Sequence, residues 1–333
     1  MQDFLSNELA QVTHGALRFL DLSFIGYPLL AFLSLFVTGY VVLYRQRVAR
    51  GKSFSFRLFL RAFLSKGMIF RSSGRVDVAL LVLNSTVFPV LFGWMMISGQ
   101  IFVMPTVTAL THLLGSHAPP QISAGAQAFL ATLALFIAYE FGYWVDHYLS
   151  HRIPVLWHFH KVHHTATSLS IVTVHRVHPI DTVVFGGILA LTGGVTAGCL
   201  EWAFAAPFNL MEIGSTNLFL FAAMIAYIPL QHSGVWLAFT GAWGRVFLSP
   251  AHHQLHHAND PTLYGSNLGS CLSVFDWMFG TLKIPSAEPQ KLTFGVSASD
   301  HPPVGILDHV VQPFLDAGRT TSSTAPAPLA KAS

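Results

Sequence analysis

Residues 140–164 read EFGYWVDHYLSHRIPVLWHFHKVHH, and the spacing of their histidines sets the reading of the whole chain. His147 and His151 stand four residues apart, and His160, His163 and His164 occupy positions i, i+3 and i+4. On a helix those offsets put the imidazoles on one face, one turn apart. The apolar run Gly125–Trp144 leads directly into this stretch. Further along, AHHQLHH at 251–257 repeats the pattern with His253, His256 and His257. One pair and two triplets therefore give eight imidazoles on helical faces, which are expected to converge.

Composition places these helices in a membrane. The 333 residues are 52% hydrophobic and only 10% charged, with a mean hydropathy of +0.53. A soluble chain of this length would carry roughly 80 charged residues, against 18 Lys+Arg and 15 Asp+Glu here. So few charges cannot cover a soluble surface, and so much apolar content excludes a disordered chain. The 18 histidines, as many as Lys and Arg together, stand out against that economy. The small net charge of +3 carries no sign of a nucleic-acid partner. Cys199 and Cys271 are isolated and form neither a disulfide framework nor a metal knuckle. The first residues, with Asp3, Glu8 and Asp21, lack the basic start of a cleavable signal peptide, so none is expected.

A bilayer core of ~30 Å needs roughly 20 apolar helical residues. Five runs meet or approach this: Phe24–Tyr44, Val78–Met104 (with Pro89, hence kinked or tilted), Gly125–Trp144, Thr182–Cys199 and Ile213–Leu230. The last two, separated by a short stretch around Pro207, read as a tight helical hairpin. Between Arg45 and Arg75 there are nine basic residues and no acidic one. The positive-inside rule puts that segment in the cytoplasm, where it can touch anionic headgroups. Parity then places both sides of the last hairpin, and all histidine clusters, on the cytoplasmic face. The expected fold is all-α: a polytopic helical membrane protein with a histidine-rich, two-metal helical cap. Residues 1–124 would hold the first spans and the basic loop, 125–285 the catalytic domain, and 286–333 a C-terminal tail, disordered from Ala317 onward.

Imidazole nitrogen suits iron, zinc, copper and nickel; eight are too many for one ion and suit two. Only Glu140 and Asp146 lie near the first two clusters, too few carboxylates for a Glu-bridged di-iron bundle. No His-Glu-x-x-His is present, so a zinc protease is unsupported. A haem pair would need isolated histidines inside spans, whereas these crowd just beyond span ends. His14, His112, His117, His301 and His309 stand alone and read as core or interface residues. The glycines of FGGILALTGGVTAG lie in an apolar run and read as close helix packing, not as a nucleotide loop. A different class of protein, a histidine-rich membrane metal binder or transporter, would carry ionisable groups at mid-span; Glu201 and Glu212 lie near run ends.

The clusters, with their order and the hairpin between them, resemble the fatty acid hydroxylase (sterol desaturase) superfamily over roughly Ala138–Leu282. EFGYWVDHYLSHR resembles its first box and LWHFHKVHH its second. RVHP, ending in His178 and Pro179, resembles the His-Pro that follows, and QHSG at His232 the isolated histidine after the last span. FDWMFGTL resembles the closing element, with Phe275 in place of the usual Trp; the first box reads His-Tyr where many relatives have His-Arg. The first span and the Arg45–Arg75 region lie outside the resemblance.

The resemblance implies metal ligation by His147, His151, His160, His163, His164, His253, His256 and His257, with His232 as a ninth. His178 is a ligand, a second-shell group or a loop anchor, and His158, His175 and His252 have outer-shell or neutral roles. Asp146, Asn259 and Asp276 are candidates to accept an imidazole N–H and fix its tautomer. It further implies two non-haem irons, dioxygen as co-substrate, and hydroxylation or desaturation of a lipid C–H bond. The chain carries no flavin or nicotinamide fingerprint, so electrons would come from a separate ferredoxin, cytochrome or reductase. A bacterial inner membrane and an endoplasmic reticulum membrane both satisfy the topology.

Overall fold

The computed structural model describes residues 22–64, 71–297, 300 and 302–322. The N-terminal region with Asp3, Glu8 and His14, together with His301 and residues 323–333, lies outside the described residues. The chain is mostly helical, and among the described residues three helical segments are long and apolar enough to cross a membrane: Ser72–Leu114, Ala124–Arg152 and Pro179–Phe204.

Helix α1 (Leu22–Ala49) contains the first apolar run and is followed by the short α2 (Phe56–Leu64). The long second run is α3 (Ser72–Phe92) and α4 (Gln100–Leu114), interrupted by a 3-10 turn at Gly93–Met95. Pro89 stays inside α3, and the interruption comes at the glycines just after it. Helix α5 (Ala124–Arg152) opens on Ser123, whose side chain accepts the Ala126 N–H and satisfies one orphan donor of the first turn. It stops just short of Pro154. That proline lacks the N–H needed to continue a helix but suits a first turn, and it starts α6 (Pro154–His164). The same logic starts α7 (Pro179–Phe204) on Pro179, with His178 as its cap and Asp181 in its first turn.

Helices α3 and α4 together run beside α7 in the same direction. The Asn84 amide donates to the carbonyls of His175 and Val177 near the start of α7, and Trp202 near its end donates to the Gly115 carbonyl. Gly194 and Gly198 let the backbones of α4 and α7 approach so closely that a Cβ would strike Gly99 or Val103, which is the close packing the glycine pattern anticipates. Helix α5 runs back toward the start of α7. Its Gly142 meets Thr192, and its last turns lie beside α6.

The fifth apolar run departs from expectation. Ile213–Leu230 is not a span: it comprises part of a two-residue hairpin, β1 (Glu212–Ile213) and β2 (Thr216–Asn217), the nine-residue α8 (Leu218–Ala226), and a 3-10 turn at Ile228–His232. Nine residues rise only about 14 Å, half the hydrocarbon thickness. The chain nevertheless returns, because the hairpin re-enters at the level of Thr132, whose side chain and carbonyl bind Met211 and Asn217. His178 and His232 therefore reach the same end of the bundle.

The basic segment shares that end. The Ala62 carbonyl accepts the Gly234 N–H, the Phe63 carbonyl accepts the Ile171 N–H, and Arg50 pairs with Glu288. Beyond it lie α9 (Gly241–Val246), α10 (Pro250–His256), α11 (Val274–Phe279) and α12 (Ile306–Ser322). Helix α12 corrects the expected tail, since Ala317–Ser322 is helical. It packs on α6 through Lys161–Asp316 (3.3 Å) and His158–Thr320 (2.7 Å).

Candidate metal centre

Nine histidines meet where α5, α6, α10 and the 3-10 turn converge, and they sort into two groups. His147, His151, His160, His164 and His256 form one; His163, His232, His253 and His257 form the other. Within each group one ligand-capable nitrogen per residue lies within 4.8 Å of the rest. These are the nine residues the resemblance singled out. The helical offsets explain the division. In α6 the i, i+4 pair His160 and His164 faces the first group, while His163 faces the second. In the α10 box the i, i+4 pair His253 and His257 faces the second group, while His256 crosses to the first. Each triplet therefore contributes to both pockets and holds them side by side.

Hydrogen bonds aim the rings. The Nδ1–H groups of His147 and His256 donate to the carbonyls of Leu268 and Ser266, both at 2.8 Å. His163 Nδ1 donates to the Arg176 carbonyl at 3.3 Å and His160 Nδ1 to Asp181 Oδ2 at 3.1 Å. With the proton on Nδ1, the lone pair on Nε2 points inward, the usual arrangement behind a metal-binding imidazole. Burial pushes His232 and His256 down to about 3 and His163, His164, His253 and His257 well below their usual range, so these rings are neutral at physiological pH. For His160 burial is the largest single influence and disfavours the charge, but the Asp181 carboxylate, by charge and hydrogen bond, and the charge of Asp146 together outweigh it and the net shift is upward.

The inward nitrogens fit cations better than each other. Nε2 of His232 lies 3.1 Å from those of His163 and His257 and 3.0 Å from that of His253; His257 and His253 are also 3.0 Å apart. A neutral imidazole carries one proton, so His232 can donate to only one of three neighbours. The spacing is close to what two nitrogens held by one ion at about 2.1 Å require, roughly 3–3.4 Å. In the first group Nε2 of His147, His151 and His160 is buried with no partner at all, a costly state that a bound ion would relieve. Trp157 packs against His151 and His164 and closes that side.

The remaining candidates act elsewhere. His178 lies outside both groups: its Nδ1 accepts the Ile180 N–H as a helix cap and its Nε2 donates to the Val310 carbonyl, which makes it an anchor. Asp276 touches no imidazole. It accepts the N–H groups of Leu268 and Gly269 and so holds the loop whose Leu268 carbonyl orients His147. Asn259 instead accepts the Tyr264 hydroxyl. Asp146 is buried with Oδ1 unpartnered, and no imidazole N–H reaches it among the described residues. Asp181, not Asp146, takes that role for His160. His252 caps its own helix with Ser249, and His309 is a core residue, as its isolation suggested. His158 and His175 also lie outside both groups.

Two functional residues escaped the motif reading. Asp181 sits three residues beyond His178 in the chain but reaches back to α6. Asn267 adopts a left-handed conformation (φ 56), which Asn tolerates better than most residues, and its amide donates to the His252 and Lys283 carbonyls. It thereby sets the two flanking carbonyls, Ser266 and Leu268, toward His256 and His147. Removing an outer partner of a metal-binding histidine weakens binding ~10–100-fold. Asp181→Ala should therefore weaken metal affinity by that factor at the first pocket and leave the second unchanged, as read by competitive chelator titration. Equal affinity at both pockets would show that Asp181 has no hold on His160.

Residues 132–281 match the family described as Fatty acid hydroxylase, the family that the histidine spacing resembles. The chain is 28% identical over 224 residues to the ornithine lipid hydroxylase OlsE of Rhizobium tropici, covering 66% of this chain and 61% of that one. It is also 26% identical over 165 residues to the alkylglycerol monooxygenase of Danio rerio and 24% over 162 residues to that of Homo sapiens; each match covers 49% of this chain and 32% of the relative. The matched region thus spans less than two thirds of these relatives' lengths. No solved structure matches the chain.

Proposed function

We propose that the chain is a membrane-bound, non-haem di-iron oxygenase that uses dioxygen and external electrons to hydroxylate or desaturate a lipid C–H bond, with catalysis assigned to residues 125–285. The observation that carries this reading is the division of nine imidazoles, eight buried and that of His151 half-buried, into a five-nitrogen and a four-nitrogen pocket whose inward nitrogens cannot all satisfy one another. When bound, a pair of irons would supply the oxygen activation and C–H cleavage that no side chain here offers.

The chain's own contribution is placement and exclusion of water. Carbonyls and Asp181 fix the tautomers, so the ligands need no reorganisation on binding. Burial of eight of the nine rings keeps bulk water from the pockets. The site's position at one end of the membrane-length helices suits a lipid that enters from the bilayer with only part of its length at the metals. The names of the relatives, a lipid hydroxylase and an ether-lipid monooxygenase, point to polar-headed lipids as the substrate class. The positive-inside rule assigns the site to the cytoplasmic face, where a separate donor would deliver electrons.

The transporter alternative fares worse. Glu140 lies within a candidate span, but one of its oxygens is committed to the N–H groups of Cys271 and Leu272, and the two histidine groups adjoin each other rather than standing in series along the spans. Metal analysis of chain purified after iron-replete expression should give about two irons per chain, one for each pocket. Lipid mass spectrometry of cells with and without the gene should show one lipid class gaining an oxygen atom or losing two hydrogens. A metal-free chain with an unchanged lipid profile would overturn the assignment.

A further inference from the structure

Helix α12 lies beyond the matched segment and is built inside-out for a helix in water. Its polar side faces the protein: His309 accepts a hydrogen bond from Arg176 (2.9 Å), Asp316 pairs with Lys161, and Thr320 meets His158. Its apolar side faces away, with Leu307 77%, Val311 50% and Leu315 50% exposed, while Phe314, 45% exposed, leans one edge on Phe159 and His178. At about 100° per residue these four positions fill an arc of roughly 100°. Asp308 and Arg319 occupy the neighbouring arc, so the helix presents protein, apolar and charged faces in turn.

The arc begins where α3 ends its contact. Val310 packs against the cluster of Val76, Leu80 and Phe88 on α3, and the next positions around α12, Phe314 and Leu307, are exposed. Helix α3 belongs to a candidate span and itself exposes Val82 and Val90. The apolar face of α12 therefore lies beside a helix long and apolar enough to cross a membrane, which also presents apolar side chains outward.

We infer that α12 is an interfacial helix. It lies in the plane of the bilayer surface, with Leu307, Val311, Phe314 and Leu315 in the acyl boundary and Asp308 and Arg319 toward water. This inference rests on the membrane reading of the chain. A helix with one charged and one apolar face binds a membrane in this way, with strength that scales with the apolar area buried. The consequence reaches the metal centre. The lipid-held helix supplies His309 to Arg176, and the carbonyl of Arg176 orients His163.

The test uses the full chain in phospholipid nanodiscs. In a Cys199→Ser background, with buried Cys271 left in place, nitroxide labels are attached one at a time at Val311→Cys, Leu315→Cys and Arg319→Cys. Val90→Cys on α3 serves as the reference. Accessibility to oxygen, which partitions into lipid, is compared with accessibility to water-soluble chromium oxalate. The labels at 311, 315 and 90 should favour oxygen several-fold over the label at 319. If 90 favours oxygen while 311 and 315 match 319, α12 lies in water and the inference falls while the membrane reading stands. If 311 and 315 are shielded from both reagents, another protein surface covers them and the inference also falls. If 90 itself favours the chelate, the membrane reading fails, and the inference with it.

Discussion

The His232→Ala chain is expected to retain about one metal ion where the parent holds about two, and to lose turnover at least ~100-fold, the upper end of what outer-shell changes cost. His232 is the hub of the four-nitrogen pocket, with Nε2 within 3.1 Å of three other imidazoles. Without it three nitrogens remain, whereas the five-nitrogen pocket is untouched. The comparison variant His151→Ala should lose less metal, because four nitrogens remain in its pocket. Truncation leaves a buried space and takes a neighbour from His163, His253 and His257, of which His253 and His257 still face each other at 3.0 Å. The chain should thus still insert and give the parental helical circular dichroism. Two ions per chain and near-parental turnover in His232→Ala would remove it from the ligand set and place the second pocket's metal in doubt.

Much of the centre was legible because its determinants are local. Offsets of three and four residues fix which rings share a helix face whatever the rest of the chain does, so eight of the nine converging imidazoles could be read from spacing. His232 is different: it stands alone on a 3-10 turn and was found only through the resemblance of QHSG. The partners that orient the rings are mostly main-chain carbonyls, and spacing does not mark a carbonyl. Asp181 was masked by the more conspicuous His178 beside it. The fifth run misled for another reason. Hydropathy is blind to direction, and Gly214 and Ser215, both at positive φ (56 and 61), turn the chain within an apolar stretch. The Gly-Ser-Thr-Asn sequence at 214–217 was the available sign, since paired positive φ values are the mark of a tight hairpin. For α12, the tail's Pro/Ser/Thr content was read over too wide a window. The period of Leu307, Val311, Phe314 and Leu315 was visible just upstream.

Arg176 makes the second large expectation, a loss of about 3–5 kcal/mol of stability in Arg176→Ala. The guanidinium is fully enclosed and pairs with Asp77 at 2.8 Å; it also donates to the Ser73 and Val162 carbonyls, Thr165 and His309. It thus ties the start of α3, the end of α6 and α12 together directly behind the metal pockets. An ion pair this buried need not exceed a hydrophobic replacement in net stability, but removing one partner strands the other charge. Accordingly Arg176→Ala should unfold at much lower denaturant or temperature, whereas the double change Arg176→Met with Asp77→Leu should recover a large part of the loss. The two variants separate stability from orientation. Both keep the residue 176 carbonyl that accepts from His163, so a stable double variant that still binds about two ions would show the pair to be a fastener. A stable double variant that loses the ion of the four-nitrogen pocket would show that the pair also fixes where that carbonyl points. An Arg176→Ala chain as stable as the parent would contradict the enclosed pairing itself.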